Sequence, residues 1–290
     1  MANSLREVKG RIDSTKKTAQ ITKAMYMVSQ SKVRRAEKTF KDYQSFMKSI
    51  SDMTASIVSR ASQEFKHDLL VDRPIKKTCF LIISSDKGLA GAYNNGLFKY
   101  FENKIKEKGL KNSDFMVSTI GKRAYTYVKK MGYENHQTEP TYVRDDVMFV
   151  DIVNLANQII KQYLNREIDR LVIIYNHFIN SLSQEIEERV LLPIKQIDGE
   201  ISQSDYIYES GIENTLNKIL PMYIQDIIYG IILDAKTAEH AARVNSMRSA
   251  TDNATDVIDK LQVLYNRSRQ EAITNELNDI VGGSNAIGGK

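Results

Sequence analysis

The residues with most claim to chemistry form the loop Ser85-Asp86-Lys87-Gly88-Leu89-Ala90-Gly91, which follows an apolar run and precedes a helical pattern. Such turns cradle phosphates when glycines let backbone N–H groups approach the anion. This loop lacks the parts for it. Gly88 and Gly91 stand three apart with alanine at position 90, so G-x-G-x-x-G is absent, and no Gly-Lys-Ser/Thr follows. It reads instead as a tight strand-to-helix turn in which Asp86 or Asn94 caps the next helix. The histidines His67, His136, His177 and His240 fall on different expected elements, without the spacing of a zinc site. The acid pairs Asp145-Asp146 and Glu187-Glu188 read as solvated surface, and no serine or cysteine has the surroundings of a nucleophile. Cys79 lies in an apolar run and reads as a small core residue; a single cysteine allows no internal disulfide. No catalytic, cofactor or metal site is expected.

The elements around these residues follow from where helix breakers stand. Neither glycine nor proline occurs from Arg11 to Arg73 or from Ile231 to Val281, and the four prolines (74, 140, 193, 221) lie between those stretches. Both ends therefore read as long helices. Alternating steps of three and four from Leu5 run through Val8, Ile12, Thr15, Ala19, Thr22, Tyr26, Ser29, Val33, Ala36, Phe40, Tyr43, Met47, Ile50, Thr54, Ile57 and Ala61. A register held that long predicts a left-handed coiled coil. Ile21, Met25 and Val28 fall one position before this seam and form a second apolar face. In the last segment Leu261, Tyr265, Ser268 and Ala272 follow a seam, whereas Ile273, Leu277 and Ile280 continue on a shifted stripe before Gly282 and Gly283 end the helix. A helix of roughly 55 residues is on the order of 80 Å long, so the two ends need each other for burial, antiparallel if both leave one side of the middle domain.

The middle alternates strand and helix. Strands are expected at 78–84, 115–120, 170–175 and around 186–192, with Tyr206–Tyr208 as a further possibility, and helices at 93–108, 122–131 and 147–164. The fold class is thus α/β: a long antiparallel coiled coil of the N- and C-terminal helices with a Rossmann-like α/β domain inserted between them. The expected divisions are 1–70 (first coil helix), 75–210 (α/β domain), 211–283 (second coil helix) and 284–290 (flexible tail). No run approaches the ~18 apolar residues of a membrane span, and no apolar signal core follows the start. Net charge is +5, and residues 1–60 hold thirteen Lys/Arg against five acids. A basic coil suits an acidic protein surface, anionic lipid or nucleic acid, and charge does not choose among them.

Residues 11–38, with Ile21-Thr22-Lys23-Ala24-Met25, Met27-Val28-Ser29 and Ser31-Lys32-Val33-Arg34-Arg35-Ala36, closely resemble the first helix of the gamma subunit of F-type ATP synthases. The loop Ser85–Asn94 resembles that family's turn after the first strand. Ile228–His240, Ala242-Arg243, Met247, Ala250–Ala254, Tyr265-Asn266-Arg267, Arg269-Gln270 and Ile273-Thr274-x-Glu276 resemble its last helix, so the likeness covers the whole chain in order. Ser284 departs from the alanine of many members, and the cysteine pair of redox-controlled chloroplast members is missing.

The resemblance implies a non-catalytic central-stalk rotor that couples ion flow to ATP synthesis or hydrolysis. Its implied partners are the alpha and beta subunits, the epsilon subunit and the c-subunit ring. No cofactor and no nucleic acid are implied, and membrane association, at the cytoplasmic face of a bacterial membrane, comes only through the complex. It further implies that Arg269 and Gln270 hydrogen-bond a beta-subunit loop, and that Met25 lies against an acidic part of beta with Lys23, Arg34 and Arg35 nearby. Ile273, Leu277 and Ile280 would sit in an apolar bearing. Two alternatives stand beside this: the same fold in a specialised rotary ATPase that makes no ATP, and a basic coiled-coil nucleic-acid binder.

Overall fold

A computed structural model describes residues 2–61, 67–195, 197, 199–200 and 211–288. In order the elements are α1 (Ala2–Arg60), β1 (Thr78–Ile83), α2 (Tyr93–Glu107), β2 (Phe115–Ile120), α3 (Lys122–Met131), α4 (Phe149–Leu164), β3 (Arg170–Phe178), β4 (Gln184–Leu192) and α5 (Ile212–Gly288). The chain divides into two compact units, Met1–Val28 with Val244–Lys290, and Ser29–Arg243.

The first unit is a two-helix coil. Leu261 of α5 buries against Val8 and Ile12 of α1, with Tyr265 beside them. Further along, the Thr251 hydroxyl donates to the Thr22 hydroxyl at 2.8 Å. As α1 numbers rise α5 numbers fall, so the helices run antiparallel. Each seam position expected in α1, from Leu5 to Ala61, is buried or half-buried, while Ile21, Met27 and Val28 are exposed. The heptad register therefore governs burial in both units, because underwinding to 3.5 residues per turn keeps one stripe against a partner.

In the second unit α1 and α5 pair antiparallel again and close one face of a four-stranded sheet. The strand order is β2-β1-β3-β4, with β1 parallel to β2 and β3, and β4 antiparallel to β3. The strands expected at 78–84, 115–120 and 170–175 are present, and the last runs on to Phe178. Alternation sorts their side chains. Cys79, Leu81, Ile83, Leu171 and Ile173 face a core shared with α1, α4 and α5, whereas Phe80, Ile82, Val117, Val172 and Ile174 face α2 and α3.

Two helix ends differ from expectation. α1 stops at Arg60 rather than near 70, and a turn at His67–Leu70 buries Leu69 against the sheet. α5 continues through Gly282 and Gly283 to Gly288, because glycine permits a left-handed cap without requiring one. The strand considered at Tyr206–Tyr208 lies outside the described residues.

Tyr43 on α1 and Asp226 on α5 make a polar contact inside this packing. The Tyr43 hydroxyl donates to Asp226 Oδ1 at 3.2 Å, and its ring stands edge-on to Tyr229 at 4.8 Å. Burial raises the pKa of both groups, so the phenol keeps its proton as donor. Tyr43→Phe keeps the ring and deletes the donor. It is expected to cost about 1–3 kcal/mol in urea unfolding, because the nearly buried carboxylate loses its partner.

Candidate functional site

In this sheet the chain steps from β1 to β2 on one side and then crosses back to β3 on the other, and such a reversal places a crevice at the C-terminal ends of β1 and β3, where α/β proteins take ligands. Here the chain fills its own crevice. The Tyr93 hydroxyl donates to the Ala235 carbonyl of α5 at 2.9 Å, and Asn176 Nδ2 donates to the Tyr93 carbonyl at 3.3 Å. Ala90, Tyr93 and Ala238 form a small core with Phe178 and Ala242 against it. The loop turns through positive φ at Leu89 (64°) and Gly91 (59°). Neither expected cap sits on α2. Asp86 instead accepts the N–H of Lys122, at the start of α3, at 2.9 Å and that of Val143 at 3.0 Å. Asn94 Oδ1 accepts the Ser85 N–H at 3.1 Å, so both side chains pin the loop.

Above the loop α5 carries a buried charge network that sequence reasoning missed. Glu239 accepts from Lys236 Nζ at 3.0 Å and from Arg243 Nη2 at 2.8 Å, and Arg243 also reaches the Gly88 carbonyl at 3.4 Å. Burial opposes ionisation of Glu239, yet the two cations outweigh it and hold the carboxyl below its ordinary range. Burial also pushes the His240 imidazole down to about 4, so it is neutral near pH 7. Arginine can only donate, so His240 Nδ1 accepts from Arg243 Nη1 at 3.4 Å and Nε2 carries the proton toward Asp145, 3.5 Å away. That contact is polar and not an ion pair. The available signal was a run of charges, Asp234 to Arg243, inside a helix apolar all round.

The acid pairs are not plain solvated surface. Asp145 binds Lys32 at 2.7 Å, and Glu188 pairs with Lys104 at 2.8 Å and Lys108 at 3.6 Å. Cross-strand packing brings helix cations over β4, which no local pattern announces.

His177 Nδ1 lies 2.6 Å from Asp234 Oδ2, whose other oxygen accepts the Phe178 N–H at 3.0 Å. Burial lowers the imidazole pKa, but Asp234 and Glu187 outweigh that and raise it. Burial also raises Asp234. The two compete for one proton, and the better-solvated imidazole keeps it. A raised histidine stabilises fully below its unfolded pKa of ~6.5, and the contribution fades as pH rises through the folded value. Unfolding midpoints from pH 6 to 9 are therefore expected to fall less in His177→Gln than in the parent.

The residues expected to meet partners are surface residues. Lys23, Arg34, Arg35, Arg269 and Gln270 are exposed, and Met25 is half-buried. Ile273, Leu277 and Ile280 are 49%, 57% and 62% exposed. With Val263, Asn266 and Gln270 these three follow three-four spacing, roughly 150° round α5 from the Leu261–Ala272 seam at about 100° per residue. The coil thus shows an uncovered apolar stripe on the side away from its own seam. Met25 joins Ile21 and Val28 on one face of α1, while Lys23 projects from the other side. Arg35 lines a cleft with Lys32, Asp145 and Lys236; Arg34 does not.

A family model described as ATP synthase matches residues 4–287. Solved structures share the fold. One, titled as the central stalk and c-ring of the Tetrahymena thermophila mitochondrial ATP synthase, is 22% identical at a TM-score of 0.60, over 79% of this chain and 99% of its own. A second, titled as OSCP/F1/c-ring of the Euglena gracilis enzyme, is 18% identical at 0.66, over 99% and 95%. A third, titled as the rotor of that enzyme, is 16% identical at 0.60, over 94% and 100%.

Proposed function

This chain belongs to the gamma-subunit family of F-type ATP synthases, and on that premise we propose that it is the central-stalk rotor that couples ion translocation to ATP synthesis or hydrolysis in an alpha/beta head. The observation that carries this is the uncovered apolar stripe of α5. Large exposed apolar patches on a chain mark surfaces that meet other proteins, and this one is set among polar groups able to fix register. In this reading Ile273, Leu277 and Ile280 turn within an apolar bearing of the head. Gln270 and Arg269 grip a beta-subunit loop, and Met25, Lys23, Arg34 and Arg35 face its acidic part. The inserted residues 75–210 meet the epsilon subunit and the c ring. The subunit itself catalyses nothing; its crevice is filled by its own helix, and asymmetry of the shaft does the work. In this reading attachment at the cytoplasmic face of a bacterial membrane comes through the c ring; among the described residues no helix is long and apolar enough to cross a membrane.

The test is recovery of partners on a tag placed in the α/β domain, from gently solubilised membranes. Alpha, beta, epsilon and c subunits with ATPase activity support the rotor reading. Alpha and beta without c would point to a specialised ATPase, and a lone chain carrying nucleic acid would overturn it.

Arg269→Ala is a sharper probe. Its side chain is exposed in the free chain, so stability should stay within about 0.5 kcal/mol. Proton pumping per ATP hydrolysed should fall several-fold, because a charge-assisted bond within a protein sleeve is worth more than a surface one. Undiminished pumping removes that role.

A further inference from the structure

At the N-terminal end of β3, where β4 ends and α5 passes, lies a pocket of about 380 Å³. Arg170, Arg189 and Lys195 line it together with Val190, Tyr223 and Ile227, and among the described residues no acid lines it. Arg170 Nε is buried and has no hydrogen-bond partner among the described residues. A buried guanidinium N–H left without an acceptor costs free energy that a bound anion would recover. The apolar wall lowers the local dielectric and strengthens any anion contact made there. At the rim Asp72 bonds Lys195 at 2.8 Å, with both side chains more than half exposed. Such a pair holds weakly and yields to a competing anion.

We propose that this pocket binds a phosphate group, held by the guanidinium groups of Arg170 and Arg189 with the Lys195 ammonium closing over it. Arginine forks match phosphate oxygens two at a time, and a lysine adds a mobile point charge. The group can come from free inorganic phosphate or from the headgroup of an anionic phospholipid. The pocket lies wholly within the Ser29–Arg243 unit, away from the docking stripe of α5.

The full-length chain is titrated with inorganic phosphate against chloride of equal ionic strength, and sedimented with phosphatidylglycerol–phosphatidylcholine vesicles against pure phosphatidylcholine. A chain of net charge +5 binds anionic vesicles without any site, so comparison with variants decides. Arg170→Gln should weaken binding about tenfold. Lys195→Gln, at an exposed position that folding tolerates, should weaken it several-fold and serves if Arg170→Gln does not fold. Saturable phosphate heat that the variants lose supports the site with free phosphate as its source. Vesicle binding that the variants lose, without phosphate heat, supports it with a lipid headgroup. Equal binding by parent and folded variants in both arms, or none in either, overturns the proposal.

Discussion

Arg243→Met should lower the unfolding free energy by about 3–5 kcal/mol, because it strips a buried carboxylate of one of its two cations. Glu239 is 3% exposed, and its Oε1 has Arg243 Nη2 at 2.8 Å. Lys236 still holds the other oxygen at 3.0 Å, which places the loss toward the lower end of that range. The single change does not report what the pair is worth; it reports the cost of leaving one charge behind. Glu239→Gln combined with Arg243→Met removes both charges and should recover part of the loss. Urea unfolding of the two single variants and the double one closes the cycle. A loss below about 1 kcal/mol for Arg243→Met would mean that Glu239 reaches water or another cation in the variant. Arg243 also reaches the Gly88 carbonyl, so the variant should raise proteolytic nicking of the 85–91 loop.

Gly121→Ala should be comparably severe for a different reason. Gly121 links β2 to α3 at φ +92°, a backbone region that L residues rarely enter, and an added Cβ would overlap the Ser84 backbone carbonyl. Strain costs about 1–3 kcal/mol and the clash a similar amount, so a total of about 3–5 kcal/mol is expected. The contact cannot relax cheaply. The Ser84 hydroxyl accepts the Ala124 N–H at 2.7 Å, and the Gly121 N–H donates to the Thr141 carbonyl at 2.8 Å. Gly132→Ala is the control. It also has a positive φ, +70°, but none of the described residues lies within 4 Å of its added Cβ, so it should cost only about 1 kcal/mol. Equal midpoints for the two variants would show that backbone strain alone, without the clash, sets the cost.

Both positions differ in how far they could be read ahead of the fold. Gly121 stands between an apolar strand and a helix, where glycine commonly turns the chain, yet its indispensability comes from Ser84, just beyond the end of β1. Glu239 stands in a stretch without helix breakers, so its helix was legible, but a charge three or four residues from another is usually a solvated pair. Only the enclosure of α5 on all sides converts it into a buried network.

The seam of α1 needed no tertiary information. Burial along a coil repeats the residue pattern because each apolar side chain answers a helical period set by backbone geometry. The β1 run and the limits of β2 and α3 were legible for the same reason, since alternation, breakers and length are all local. The exposed stripe at Ile273, Leu277 and Ile280 was visible as a shift of period, and the fold turned that shift into an outward face.

What the local pattern left open are the contacts between residues far apart in the chain. Asp86 could have capped α2, the helix next to it, but the sheet order brings the α3 N-terminus and Val143 closer. His177 and His240 carried no spacing signal, because their partners, Asp234 and Asp145, are 57 and 95 residues away. The crevice at the ends of β1 and β3 is closed by a helix that begins beyond the last strand. Periodicity and turn chemistry settle which elements form. Which charges are enclosed, and which crevice stays open, depends on how sheet order and helix crossing bring distant segments together, because desolvation and Coulomb energies follow distance in space and not separation along the chain.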